Sequence, residues 1–327
     1  MFERLAIEDI RRKMNEFGTR KEPFLFLIDF EMKKPLVIPL NQINTSEILF
    51  QFPSFSNYSI GSTSKTKIEM TAEYPSFEKY QKAFDVVMRN LRHGNSYLLN
   101  LTLPTQITLN VSLLDIFQRC NSMYKLWWKD NLIFFSPEAF IQIENGNISS
   151  FPMKGTIDAS IANAEDVIMN DPKELAEHNT IVDLIRNDLS RVSENVEVKR
   201  FRYVDKVNTS KGSLLQVSSE ITGKLPENYP SQIGDILFDL LPAGSISGAP
   251  KKKTIEVILD AEQYDRSYYT GVCGVFDGNK LESGVMIRYI ENIDNHLWFK
   301  SGGGITVRSD CKKEYEELIE KVYVPVS

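Results

Sequence analysis

Lys154 is the residue whose presence most needs a chemical reason. In "SSFPMKGTIDAS", Ser149 to Ser160, it stands between an apolar run closed by a proline and a glycine. A cation where a strand enters a protein interior either snorkels to water or is kept for its amine. Two carboxylate pairs are the next candidates. Glu174 and Glu177 lie in "DPKELAEHNTIVDLIRNDLSRV", and Glu314 and Glu317 repeat their spacing in "SDCKKEYEELIEKVYV". On a helix that spacing puts each pair on one face. Such pairs are commonly solvated surface. Facing each other across a cleft, they would instead suit a hard cation such as Mg²⁺, which takes few protein carboxylates and completes its shell with water and an anionic ligand.

Other residues have both a plain and a chemical reading. Glu138 in "FFSPEAF" is flanked by apolar residues. It is either an exposed turn residue or a desolvated general acid with a raised pKa. Arg288 interrupts the apolar "GVMIRYIE". It either faces solvent by strand alternation or clamps a carboxylate with two hydrogen bonds. "LPAGSISGAPKKK" leads into a helix, where backbone N–H groups can bind an anion; its spacing is not that of a P-loop. The run Gly302, Gly303, Gly304 permits close approach to the backbone or merely makes a bulge. His93, His178 and His296 have no metal-ligand spacing.

The elements that must position these residues are readable in outline. "PFLFLIDFEMKKPLVIPL" reads as two strands around a charged turn. Residues 52–73, rich in Ser, Thr and Asn, read as an irregular connection. "SFEKYQKAFDVVMRNLRHG" is an amphipathic helix with Ser76 as N-cap and Gly94 as terminator, and "SYLLNLTLPTQITL" follows as a strand. Asn145-Gly146 between apolar runs predicts a hairpin. Asp171, Pro172 and Glu174 predict a helix start with a capping box. A helix follows Pro250, the tail reads as a three-stranded meander with turns at Asp277-Gly278 and Asn292 to Asn295, and a last helix closes the chain. Antiparallel hairpins with helices between them predict an α+β fold. Residues 1–327 read as one large domain, with 1–75 as an N-terminal part completing the sheets.

Composition narrows the function classes. The net charge of −6 and a pI near 5.4 give no field favouring nucleic acid. No apolar run approaches the ~20 residues of a membrane span, and the N-terminus lacks the apolar core of a signal peptide. Cys120, Cys273 and Cys311 are scattered, without a CxxC pair or the surroundings of a nucleophilic cysteine. The simplest expectation is a reduced, cytoplasmic protein without a membrane partner.

Taken in order, "SYLLNLT", "SPEAF", "PMKGT", "KELAEH…VDLIRNDLSRV", "AGSISGAPK", "YYTGVCG", "MIRY" and "GGGITVRSDCKKEYEE" resemble the chorismate-utilising enzymes over roughly residues 76–320. These include anthranilate synthase component I, aminodeoxychorismate synthase component I, and isochorismate and salicylate synthases. The resemblance implies a single large domain of two packed antiparallel sheets with outer helices, and Mg²⁺-dependent chemistry on chorismate. "PMKGT" resembles the PIKGT of aminodeoxychorismate synthases, in which the lysine is a nucleophile; anthranilate synthases resemble PIAGT. By this resemblance Lys154 is the nucleophile and Glu138 the general acid. Glu174, Glu177, Glu314 and Glu317 are the Mg²⁺ ligands. Arg288, Lys313 and the backbone of Gly244, Ser245, Ser247, Gly248 and Ala249 and of Gly302, Gly303 and Gly304 contact carboxylates. Tyr269 contacts substrate, and Gln216 in "LLQVSSEITG" stands where the family usually has a histidine. Gln216 can hydrogen-bond but cannot titrate. Ammonia is expected from a separate glutamine amidotransferase subunit, the product is expected to lead to p-aminobenzoate and folate, and no tryptophan site is expected. Apolar surroundings are expected to lower the pKa of Lys154.

Overall fold

The computed structural model describes residues 7–59, 66–209, 212–248 and 250–325. In chain order the elements are α1 (Ile7–Thr19), β1 (Phe24–Ile28), β2 (Leu36–Pro39), β3 (Ile48–Gln51), β4 (Met70–Glu73), α2 (Phe77–Arg92), β5 (Leu99–Leu109) and α3 (Leu113–Arg119). Then come β6 (Tyr124–Trp128), β7 (Leu132–Ser136), β8 (Ala139–Glu144), β9 (Asn147–Ser150), β10 (Met153–Asp158), α4 (Ala164–Asn170), α5 (Pro172–Leu189), β11 (Glu194–Thr209) and β12 (Gly212–Lys224). The remainder is α6 (Ile233–Leu240), α7 (Gly244–Ser247), α8 (Lys251–Glu262), β13 (Val272–Phe276), β14 (Leu281–Val285), β15 (Tyr289–Ile293), β16 (His296–Ile305) and α9 (Cys311–Glu320).

Two antiparallel sheets carry the molecule. Among the described residues the first has nine strands, in the order β10-β12-β9-β8-β14-β13-β1-β2 with β11 paired to β12, and the second has seven, in the order β3-β6-β7-β15-β16-β5-β4. The "FLFLI" of β1 is continuously apolar because both its faces are buried. Phe24, Phe26 and Ile28 pack with Met14, Ile233 and Leu237 of α1 and α6. Leu25 and Leu27 pack with Phe50, Tyr124, Phe134 and Tyr289 of the other sheet. Each such buried side chain contributes about 1.5–3 kcal/mol. A third cluster joins α2, α8 and α9 to Leu99, Leu101 and Leu103 on one face of β5.

Several local expectations hold. Ser76 accepts from the backbone of Lys79, and Gly94 has φ +75°. Asn145 and Gly146 both have positive φ and join β8 to β9. Two expectations need correction. Asp171 caps α5 through the N–H groups of Lys173 and Glu174, but the Glu174 carboxylate turns toward Gly155 instead of closing a capping box. The expected three-stranded meander is two hairpins, β13–β14 and β15–β16, in different sheets. The chain changes sheet at Arg288, whose φ of +52° breaks the apolar run "GVMIRYIE" in two.

That change of sheet is doubled. The passage from β7 to β8 also switches sheets, through Pro137 and Glu138. The two corners are hydrogen-bonded to each other, Val285 N–H to Glu138 C=O (3.0 Å) and Phe135 N–H to Arg288 C=O (3.2 Å). Strands that turn from one packed sheet into another need such a break in regular geometry. Here both breaks carry a charged residue.

Candidate active site

Lys154 owes its direction to a β-bulge. The pairing of β10 with β12 shifts register between Met153 and Thr156, and Gly155 in that gap has φ +95°. A bulge re-aims the side chain it carries. It turns Lys154 toward α5, where Nζ lies 2.9 Å from a carboxylate oxygen of Glu177, with 34% of the lysine side chain and 19% of the glutamate side chain exposed. Gly155 is itself constrained. A Cβ there would come 3.0 Å from Glu174 Oε2.

The ion pair overturns the expected pKa of Lys154. Burial does work to lower it, but Glu177, followed by Glu174 and Glu317, outweighs burial and holds the pKa above its ordinary value. The amine is therefore kept protonated. The surroundings judged apolar from sequence include three carboxylates brought in from α5 and α9.

The second carboxylate pair arrives on α9, which Asp310 caps through the backbone of Lys313. Burial and the neighbouring Glu317 raise the pKa of Glu314. Partial desolvation works to raise the pKa of Glu317 too, yet Lys321, Lys154 and Lys173 bring it below normal. On the other pair, burial and Glu177 raise the pKa of Glu174. The glycines of β16 line the space between. A Cβ on Gly303 would lie 3.3 Å from Glu317 Oε1 and 3.4 Å from Glu314 Oε2, and one on Gly304 would lie 3.9 Å from Lys154 Nζ. Gly302 instead meets the neighbouring strand, since a Cβ there would fall 2.1 Å from Leu101 O.

Glu138 enters from the sheet corner. Ser245 of α7 donates to its Oε1 (2.7 Å). Burial raises its pKa, although Ser245, Arg288, Lys321 and Lys154 pull the other way. These interactions put the corner within electrostatic reach of the Lys154 cleft. Arg288 lies over the ring of Tyr323, 5.3 Å to the centroid. Tyr269 is buried, and burial raises its phenol above the usual value.

The loop around α7 holds the cleft's walls together. A Cβ on Gly244 would meet Asp188 Oδ2 at 2.8 Å, and one on Gly248, whose φ is +95°, would fall 1.7 Å from Leu98 O. Asp188 in turn pairs with Lys251 at 2.8 Å. Ala249 and the side chain of Ser247 lie outside the described residues.

Most sequence-predicted residues thus converge, with two exceptions. Lys313 is exposed on α9. The cation at that end is Lys321, whose Nζ bonds Gly302 O at 2.8 Å and Glu317 at 2.5 Å, its pKa lowered by burial. Lys321 follows Glu317 by one helical turn, a signal present in the sequence. Gln216 stands behind the bulge and donates to the thioether of Met153 (3.0 Å). The sequence reading also missed His178, fully buried against the Ser219 hydroxyl (2.6 Å), and Lys173, whose charge favours the ionised forms of Glu174, Glu314 and Glu317.

The donors suit a hard divalent ion: four carboxylates on two helices, two of them with pKa values raised by burial and a neighbouring glutamate, beside the glycines of β16. Among the described residues, no three carboxylate, imidazole or thiol groups are close enough together as they stand to hold a metal ion. Ammonium groups stand among them instead, Lys154 and Lys321 against one carboxylate pair each.

Comparison with known proteins identifies the family. Residues 39–327 match the family described as chorismate binding enzyme. The chain is 51% identical over 312 residues to an uncharacterized PabA-like protein of Haemophilus influenzae, covering 95% of each chain. It is 31% identical to aminodeoxychorismate synthase component 1 of Klebsiella aerogenes, over 76% of this chain and 57% of that one. MenF, the menaquinone-specific isochorismate synthase of Escherichia coli, shares the fold with a TM-score of 0.74 at 15% identity, over 98% of this chain and 82% of that one. No helix among the described residues is long and apolar enough to cross a membrane.

Proposed function

Within the family of chorismate-binding enzymes, to which this chain belongs, we propose that the protein is component I of an aminodeoxychorismate synthase. It converts chorismate and ammonia into 4-amino-4-deoxychorismate, with ammonia supplied by a glutamine amidotransferase subunit, on the way to p-aminobenzoate and folate. The observation that carries this reading is the aim of Lys154. An amine is directed by a bulge toward the carboxylates of two helices, beside the glycine strand β16.

The chemistry follows from the residues. The Lys154 ammonium first gives its proton to solvent; the neutral amine then forms a bond to C2 of the ring, the double bonds shift, and the C4–oxygen bond breaks. Glu138, whose pKa burial raises, gives its proton to the departing oxygen, which leaves as water. Ammonia then forms a bond to C4, the double bonds shift back, and the C2–Nζ bond breaks. The Glu138 carboxylate recovers its proton from the new ammonium group. The covalent step replaces one difficult substitution with two easier ones. On this reading Arg288, Lys321 and the backbone of Gly302 to Gly304 would take the carboxylates. Magnesium held by Glu174, Glu177, Glu314 and Glu317 would neutralise the ring carboxylate and draw from Lys154 the anions that keep it protonated.

Incubation with chorismate, Mg²⁺ and ammonium tests the reading. The expected product is 4-amino-4-deoxychorismate, which added lyase converts to p-aminobenzoate. Direct accumulation of anthranilate overturns it.

A further inference from the structure

Among the described residues, Asn100 Oδ1 is buried with no hydrogen-bond partner. Buried acceptors are normally paired, so an orphan beside a reaction site points to something that binds there. Asn100 lies on β5 directly opposite Gly304. Residues paired across antiparallel strands project to the same face. On that face the Cβ that Gly304 lacks would lie 3.4 Å from Leu98 Cδ1 and 3.9 Å from Lys154 Nζ. Leu98, two residues before Asn100, shares the face by alternation, while Leu99 and Leu101 point into the core behind. The amine, an apolar wall and an unpaired oxygen therefore share one side of the cleft.

This side also has an opening. Leu98 lines a groove of about 1300 Å³ with Tyr97, Thr180, Leu184 and Asn187. Thr180, Leu184 and Asn187 continue along α5 the stripe that begins at Glu177. The groove therefore leads along the helix toward the partner of Lys154.

We propose that Asn100 and Leu98 form the nitrogen-donor subsite, where ammonia waits beside Lys154. The proposal rests on the amination reading above. Ammonia has three N–H donors and one lone pair. An acceptor at Asn100 Oδ1 holds it by an N–H group and leaves the lone pair free to attack. Water needs donors as well as acceptors, and Leu98 offers neither.

Steady-state kinetics at saturating chorismate and Mg²⁺, with ammonium chloride varied at fixed pH, test this. Asn100→Leu, similar in size but without the acceptor, is expected to raise the KM for ammonium roughly tenfold, the loss of about one hydrogen bond. The KM for chorismate stays unchanged, and Asn100→Asp, which keeps the oxygen, restores ammonium affinity. Leu98→Ala is expected to increase the share of chorismate consumed without amination. An unchanged ammonium KM in Asn100→Leu overturns the subsite, as does an equal rise in both KM values. Chorismate binding by each variant reports folding, and Asn100→Ala replaces a variant that does not fold. Ammonium KM can be read from either aminated product. Amination at C2 would therefore overturn the reading and leave the subsite standing, whereas wild-type turnover independent of ammonium would overturn both.

Discussion

The Nζ of Lys154 lies 2.9 Å from one carboxylate oxygen of Glu177, and Lys173 approaches the other at 3.7 Å. The proposed nucleophile and a proposed metal ligand are thus each other's partners. An amine so held cannot attack until the carboxylate is engaged elsewhere. On the proposed reading, loading the cation site and arming the nucleophile would be one event, and covalent chemistry would depend on the cation.

Lys154→Ala removes the covalent route. Ammonia-dependent turnover is expected to fall by about 10²–10⁴-fold, with chorismate affinity retained because other groups hold the carboxylates. Chorismate binding by fluorescence, set beside single-turnover amination, checks both halves. Wild-type rates in the variant would remove the nucleophilic role.

Glu138 sets the alkaline limit. Burial raises its pKa, so it holds its proton to higher pH than an ordinary glutamate and loses it as pH rises through the folded-state value. Activity that needs this proton is complete below that value and lost above it. In Glu138→Gln the alkaline limb of kcat/KM should disappear, at a rate lower by about 10²–10⁴-fold. The linkage to stability has the same sign. The unfolded chain releases this proton at lower pH, so Glu138 makes stability fall as pH rises between the two values.

Gly302 and Gly304 separate folding from chemistry. A Cβ at residue 302 would fall 2.1 Å from a backbone oxygen, whereas at 304 its nearest contacts are ordinary, at 3.4 and 3.9 Å. Gly302→Ala should destabilise by about 1–3 kcal/mol. Gly304→Ala should leave the urea midpoint nearly unchanged while raising the chorismate KM, because the added methyl occupies ring space beside Lys154.

Arg266 and Glu262 form a fully buried pair, bridged at 2.6 Å, that also holds Thr102 and the carbonyl of Asn100. Arg266→Met leaves Glu262 buried without its cation, at a cost of about 3–5 kcal/mol. Urea unfolding measures it, and adding Glu262→Gln should return much of the loss. A cost below about 1 kcal/mol would mean that the pair does not organise β5.

What the sequence disclosed follows from the range of the forces involved. Caps, the Asn145-Gly146 turn and the apolar periodicities are local, and they placed α2, α5, α8, α9 and the β8–β9 hairpin. The pairing of strands is not local. The run "GVMIRYIE" reads as one strand, and only its neighbours β7 and β8, turning at the same level, reveal Arg288 as a corner. The same limit explains the Lys154 pKa. Its flanking residues are largely apolar, but Glu177 and Glu317 reach it from helices distant in sequence. The resemblance implies Lys313 as a carboxylate contact, yet Lys313 is exposed, and one helical turn brings Lys321 against Glu317.

The most direct test of the account is peptide mapping by mass spectrometry of protein incubated with chorismate and Mg²⁺ without ammonia. The account predicts the mass of chorismate less one water on the peptide containing Lys154, discharged when ammonium is added. Protein that stays unmodified under these conditions, yet aminates chorismate at full rate once ammonium is supplied, would contradict it.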